Sequence, residues 1–327
     1  MNRTRMVLLG LAAMLLQAAH GMAQAQDYPA RPVKIIVPTP PGGPVDIMGR
    51  IAANYLQGAL GQPFFVENRA GAGNTIGSKD AAEATPDGYT LLYSAASGLI
   101  IAPLLHPDAG YDPLKSFDPV ILLAATSNIL VVNPKVPVKT VAELVAYAKA
   151  NPGKINFSSG GIGVLPHLIG EMFKAEAAID IVHVPYKGGG PSIADLVAGN
   201  VQMTFEATSV LLPLIQSGQL RALAVTTPKR IPQLPDVPTL IESGYSDFAI
   251  TAWTGLLAPA HTLQPVVAKL NAAINDGLHK PELLSALTRV NYQPIGGTPA
   301  DFTAMMTAEL ARWSPIIKSL GLDRPAQ

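Results

Sequence analysis

Short apolar runs alternate with stretches whose apolar positions recur every three or four residues along almost the whole chain. The short runs predict strands over 33–37, 64–67, 90–94, 120–125, 129–132, 155–158, 181–184, 201–205, 223–226 and 251–257. The helical spacing predicts helices over 46–57, 75–84, 141–150, 165–175, 193–198, 263–278, 281–290 and 299–320. Strands and helices that take turns in this way build an α/β architecture with mostly parallel sheets and flanking helices. Thr140 followed by Glu143, and Thr298 followed by Asp301, have the spacing of helix-opening capping boxes, with Asp in place of Glu in the second.

The first strand leads into Pro38-Thr39-Pro40-Pro41-Gly42-Gly43-Pro44, and Met48, Ile51, Ala52, Tyr55 and Leu56 then share one helical face. A turn of this kind at a helix N-terminus leaves several N–H groups unpaired beside the positive end of the helix dipole. That arrangement suits a small anion. A tight connection without a ligand satisfies the same pattern, so the turn alone does not decide.

The polar residues 126–128 interrupt an otherwise apolar stretch, and 248–258 follows a proline-rich segment; both read as crossings between two domains. The chain is then expected to build one domain from 26–127 plus 250–327 and a second from 128–249. A cleft between two such domains, lined by βα loops, is a common place for a small ligand.

Composition narrows the options. Arg3 and Arg5 precede a short apolar run, and Ala23-Gln24-Ala25 follows it, so residues 1–25 read as a signal peptide cleaved near Ala25 and the protein as periplasmic. The run is well short of the roughly 20 residues a membrane span needs. The chain has no cysteine, so neither a lipid anchor nor disulfides support it, and a large apolar core must. Only 14% of residues are charged, against about 25% in average domains, and no basic tract occurs. Nucleic acid is therefore not an expected partner.

Further glycine-rich loops follow predicted strands: Gly71-Ala72-Gly73, Ser159-Gly160-Gly161-Ile162-Gly163 and Gly188-Gly189-Gly190. Several such loops at strand ends point to a polar, anion-seeking cleft. None matches a dinucleotide or Walker fingerprint. The six histidines are scattered, and no metal-binding spacing, Gly-x-Ser-x-Gly elbow or nucleophile–base pairing is legible, so no metal, cofactor or catalytic residue is expected. Glu206, directly after the strand over 201–205, stands where a cleft-facing group would stand, though an exposed loop carboxylate fits equally. Ser94 and Ser97 are candidate anion donors. His167, just inside a helix start, reads as a capping or packing residue, and Trp253 as packing near the crossing strands.

In order along the chain stand Val-Pro-Thr-Pro-Pro-Gly-Gly-Pro-Val-Asp (37–46), Val-Glu-Asn-Arg-Ala-Gly-Ala-Gly (66–73), Pro-Asp-Gly-Tyr-Thr-Leu-Leu (86–92) and Phe-Ser-Ser-Gly-Gly-Ile-Gly (157–163). Val-Pro-Tyr-Lys-Gly-Gly-Gly-Pro (184–191), Gly-Gln-Leu-Arg-Ala-Leu-Ala-Val (218–225), Leu-Pro-Asp-Val-Pro-Thr (234–239) and Trp-Thr-Gly-Leu-Leu-Ala-Pro (253–259) complete the set. With these motifs the chain resembles the Bug-type extracytoplasmic solute receptors of the tripartite tricarboxylate transporter family. The resemblance implies a two-lobed type II periplasmic-binding fold, a Venus flytrap, that holds a small carboxylate between its lobes and delivers it to membrane permease subunits as a monomer. A sensory receptor signalling to a sensor kinase is the alternative it leaves open. Carried over, the carboxylate-gripping positions are Gly42, Gly43, Val45 and Asp46 in one lobe and Gly160, Gly163 and Val164 in the other. Relatives often carry an aromatic residue at Thr39 and a hydroxyl at Val45 and Val164, so a less polar ligand body, aromatic or aliphatic, is expected here. The segments 94–98 and 205–209, including Phe205 and Glu206, are expected to form the distal pocket.

Overall fold

A computed structural model describes residues 28–323, so the expected signal peptide lies outside the described residues. Among the described residues no helix is long and apolar enough to cross a membrane.

The first part of the chain runs β1 (Val33–Val37), α1 (Pro44–Leu60), β2 (Phe64–Asn68), α2 (Thr75–Ala82) and β3 (Thr90–Ala95). A wide, π-helical turn over Ser97–Ile101 continues into α3 (Ala102–Leu105), and β4 (Phe117–Val132) follows. Then come α4 (Val141–Ala150), β5 (Ile155–Ser159), α5 (Leu165–Glu176), β6 (Ile181–Pro185), α6 (Gly189–Ala198), β7 (Met203–Ala207), α7 (Thr208–Gln216) and β8 (Arg221–Val225). The chain closes with β9 (Thr251–Pro259), α8 (Gln264–Gly277), α9 (Pro281–Arg289), β10 (Gln293–Pro294) and α10 (Pro299–Ser319).

The strand order is β2-β1-β3-β9-β4-β7-β5-β6, with β8 and β10 pairing β4 off this path. Two parallel groups, β2-β1-β3 and β7-β5-β6, match the parallel sheets expected. The strands between them run antiparallel, which makes each sheet mixed rather than mostly parallel. The reason is the crossover: β4 and β9 carry the chain in opposite senses between the two parallel groups.

Two expectations are corrected here. The strands over 120–125 and 129–132 are one continuous strand, β4. It pairs β9 as far as Ser127 and β7 from Asn128 onward. Its polar residues break the apolar pattern but not the ladder, because each backbone finds a partner. Thr226 N donates to Asn128 O at 2.9 Å, and the Thr208 hydroxyl donates to Ser127 O at 2.9 Å. The second correction concerns 94–98 and 205–209. These are not open loops, since helical turns begin at Ala96 and Thr208.

The helical stripe read from α1 is real: Met48, Ala52, Tyr55 and Leu56 are buried against Val33, Ile35, Val37 and Tyr93, with Ile51 half-buried. A second core gathers Phe157, Phe173, Phe205, Phe248, Trp253, Phe302 and Trp313. Each such large side chain stabilises by about 1.5–3 kcal/mol on burial, which explains how a chain without cysteine holds together. Trp253 packs edge-on against Phe302 at 5.5 Å, as the sequence suggested. The Thr298 capping box is complete. At α4, Thr140 caps Glu143 N, but the Glu143 carboxylate reaches one residue further back, to Lys139 N. The C-terminal end of α10 leaves the first half and packs on the second, where Arg312 donates to Ala249 O at 2.8 Å.

Candidate functional site

The turn after β1 is held open from within. Gly42 takes a left-handed conformation (φ 84°), which a residue with a side chain would adopt only under strain. Asp46, 2% exposed, accepts from Gly42 N at 2.8 Å, from Asn68 Nδ2 at 2.8 Å and from Arg50 Nε at 3.0 Å. Asn68 Nδ2 also donates to Thr39 O, tying the turn to the end of β2. Burial by itself would raise the Asp46 pKa. The hydrogen bonds from Arg50, Gly42 and Asn68, with the Arg50 charge, outweigh it and hold the carboxyl below its usual range. Asp46 therefore stays ionised and inward-facing.

This arrangement redistributes the expected roles. Gly42 spends its N–H on Asp46, and the Asp46 side chain is a scaffold. The amides of Gly43, Val45 and Asp46 have no acceptor among the described residues, since α1 has no side-chain cap and Pro44 at its first position has no N–H. Thr39 contributes an enclosed hydroxyl that makes no hydrogen bond. Gly98 lies against Ser94 and Pro38, so the start of the 96–105 helical segment stands beside the same turn. Ser94 is buried and Ser97 half-buried there.

The second half repeats the design with different means. Gly163 is left-handed (φ 80°), and its N–H donates to His167 Nδ1 at 3.0 Å. His167 is thus a capping residue, as the sequence indicated, and Gly163 brings no free amide. The amides of Val164, Leu165 and His167 at the opening of α5 remain without acceptors among the described residues, again with no side-chain cap. Behind the loop, the His167 and His183 rings stack at 3.9 Å. Burial lowers the pKa of His167 to about 4, and burial with the neighbouring ring does the same for His183. Both rings are neutral near pH 7.

One contact was invisible in sequence: Ser159 Oγ lies 2.7 Å from His183 Nε2. It has the spacing of a nucleophile and base. The Ser159 hydroxyl also lies 2.8 Å from Gly161 O, which can only accept. Its single proton goes there, so the imidazole N–H donates to Oγ. The pair braces the loop from behind.

Glu206 lies within β7, not after it, opposite Ile129. Strand alternation then sends Phe205 into the aromatic core, edge-on to Phe173 at 5.5 Å. Phe205 is fully buried and does not line the site, a correction to the expected distal pocket. Glu206 points instead toward Gly189, which in turn crowds Gly160. Gly160, the Gly188–Gly189 turn and Glu206 therefore form one cluster.

The two halves meet at this level. A Cβ on Gly163 would lie 2.4 Å from Leu105 Cδ1, at the end of α3. Gly163→Ala should cost about 1–2 kcal/mol through its left-handed backbone, the flexible tip of Leu105 being free to swing away. Urea denaturation would measure the loss; full wild-type stability would show that the turn relaxes without strain.

A family model described as the tripartite tricarboxylate transporter family receptor, TctC, matches residues 48–322. The chain belongs to this family. BugT of Bordetella pertussis is 37% identical to it over 325 residues, covering 98% of this chain and 99% of BugT. The solved structure of a periplasmic transporter is 40% identical, with a TM-score of 0.79 over 90% of this chain and 99% of that one. An R. palustris protein solved with adipate is 34% identical, also with a TM-score of 0.79 and the same coverage. These likenesses establish a TctC receptor of the Bug type with the two-lobed α/β fold of periplasmic binding proteins. The glycine turns that open α1 and α5 lie at the ends of β1 and β5, strands of the two parallel groups of that fold.

Proposed function

We propose that this chain is a periplasmic receptor that captures a small carboxylate between its lobes and hands it to the membrane subunits of a tripartite transporter. The observation that carries the reading is the pair of uncapped helix openings: free amides of Gly43, Val45 and Asp46 on α1, and of Val164, Leu165 and His167 on α5. Both turns are braced internally, by Asp46 and by His167, so their donors are preorganised before a ligand arrives. The adipate bound to the R. palustris relative supports a carboxylate as ligand.

The lobes of this reading are 26–127 plus 250–327 and 128–249. They close about the change of partner at Ser127–Asn128 in β4. A carboxylate docks first on one helix opening, and the second adds its amides on closure, which shifts the population to the closed form. Val45 and Val164 put isopropyl groups beside the two openings and favour a ligand with an apolar body. The Ser159 geometry supports binding over catalysis, because His183 donates to the hydroxyl instead of taking its proton.

A thermal-shift screen over aliphatic and aromatic carboxylic acids tests the reading. A true ligand at 100 times its dissociation constant stabilises by about 2.7 kcal/mol. A flat response across mono-, di- and tricarboxylates would sink it.

A further inference from the structure

The cluster on the second half contains one group that a carboxylate-gripping site should not want. Glu206 Oε1 accepts from its own neighbour, Ala207 N, at 2.9 Å. Oε2 has no donor among the described residues, and it lies 3.6 Å from where a Cβ on Gly189 would stand. Gly189 N in turn lies 3.0 Å from the Cβ position of Gly160. No lysine, arginine or histidine pairs with Glu206 among the described residues. Its surroundings are crowded enough that burial raises its pKa, the bond from Ala207 opposing only in part. The residue is half-buried, and Oε2 is not among the enclosed side-chain atoms left without a partner, so water reaches it and a ligand donor beside the anion-seeking loop can take that water's place.

We propose that Glu206 sets ligand specificity: it accepts a hydrogen bond from a hydroxyl, ammonium or amide group on the ligand, away from the gripped carboxylate, and repels a second ionised carboxylate. The proposal rests on the receptor reading above and names the chemistry of the ligand's other end. Above the raised pKa of Glu206, an anion facing Oε2 would sit within a few ångströms of a like charge, where repulsion is poorly screened. A donor at the same place replaces the water that otherwise meets Oε2.

The test is calorimetry at pH 7.5 with matched four- to six-carbon acids: the plain monocarboxylate, the ω-hydroxy and ω-amino acids, and the dicarboxylate. Wild-type protein should bind an ω-hydroxy or ω-amino acid at least tenfold tighter than the dicarboxylate of equal length. Glu206→Gln keeps the size of the side chain and its acceptor for Ala207 N, and adds an N–H. It should weaken the ω-amino acid about tenfold and strengthen the dicarboxylate. Dicarboxylates binding wild type as tightly as their ω-hydroxy and ω-amino counterparts would overturn the proposal while leaving the receptor reading intact. Absence of binding by every acid would overturn both. The ranking on unmodified protein decides the matter even if the variant does not fold.

Discussion

Replacing Gly43 with proline should leave the protein folded and weaken carboxylate binding by about tenfold to a hundredfold. Gly43 has φ −78° and ψ 167°, inside the range a proline ring imposes. A Cβ there would meet only Pro40 O, at an ordinary 3.7 Å. The preceding Gly42 has no Cβ for the new ring to strike, which relieves most of the usual restriction before proline. The change therefore removes one N–H and little else. A hydrogen bond to a charged partner is worth about 1.5–3 kcal/mol, and each 1.4 kcal/mol is tenfold in affinity. Gly43→Ala is the companion variant: it retains the N–H and should bind like wild type. Calorimetry with the tightest acid from the screen, alongside melting curves for both variants, reads the result. Equal affinity of the proline variant and wild type would place the carboxylate elsewhere.

The parts of this molecule that were legible in sequence are those governed by local pattern. β1 and α4 were read to the residue, and α5, α8, α9 and α10 to within a residue or two at their ends, because apolar spacing and capping residues act within a few positions. The uncapped openings of α1 and α5 were legible for the same reason: glycine and proline mark a turn, and a turn before a helix leaves amides free. The continuity of β4 was not legible. Thr126, Ser127 and Asn128 look like a loop until β9 pairs Thr126 and the distant Thr208 and Thr226 hydroxyls bond to Ser127 and Asn128. The bounds of β7 were placed two residues too early, and a single residue, half a strand period, separates the core Phe205 from Glu206. That error fell on Phe205 and Glu206, where it mattered most. Helix α6 opens on Gly189-Gly190-Pro191, which propensity argues against and packing at Gly160 accommodates. The occupied amides of Gly42 and Gly163 were likewise hidden, since Asp46 and His167 each reach back four residues to claim them. Both are short-range contacts, but nothing in the spelling distinguishes an acid that braces a turn from one that faces a ligand.

That distinction gives the largest expected loss of stability. Asp46→Ala should destabilise the fold by about 2–4 kcal/mol. Breaking a buried ionic network by removing one member costs about 3–5 kcal/mol, and the half-exposed guanidinium of Arg50, able to rehydrate, reduces it here. Asn68 Nδ2 retains Thr39 O, but Gly42 N loses its acceptor and the turn loses its tie to β2. At roughly 2–4 °C per kcal/mol for chains of 150–250 residues, and less for this longer one, the melting temperature should fall by about 5 °C. Binding should weaken as well, because the free amides of Gly43 and Val45 are preorganised by the same brace. The pH dependence identifies the cause. The folded-state pKa of Asp46 is depressed. Its stabilisation is therefore complete above the unfolded carboxylate value of about 3.9, and is lost as pH falls through the lower folded value. The gap in melting temperature between wild type and Asp46→Ala should be wide at pH 7 and shrink toward pH 3. A gap that stayed constant over that range would assign the loss to packing at the start of α1 and not to the ionised carboxylate that holds the turn open.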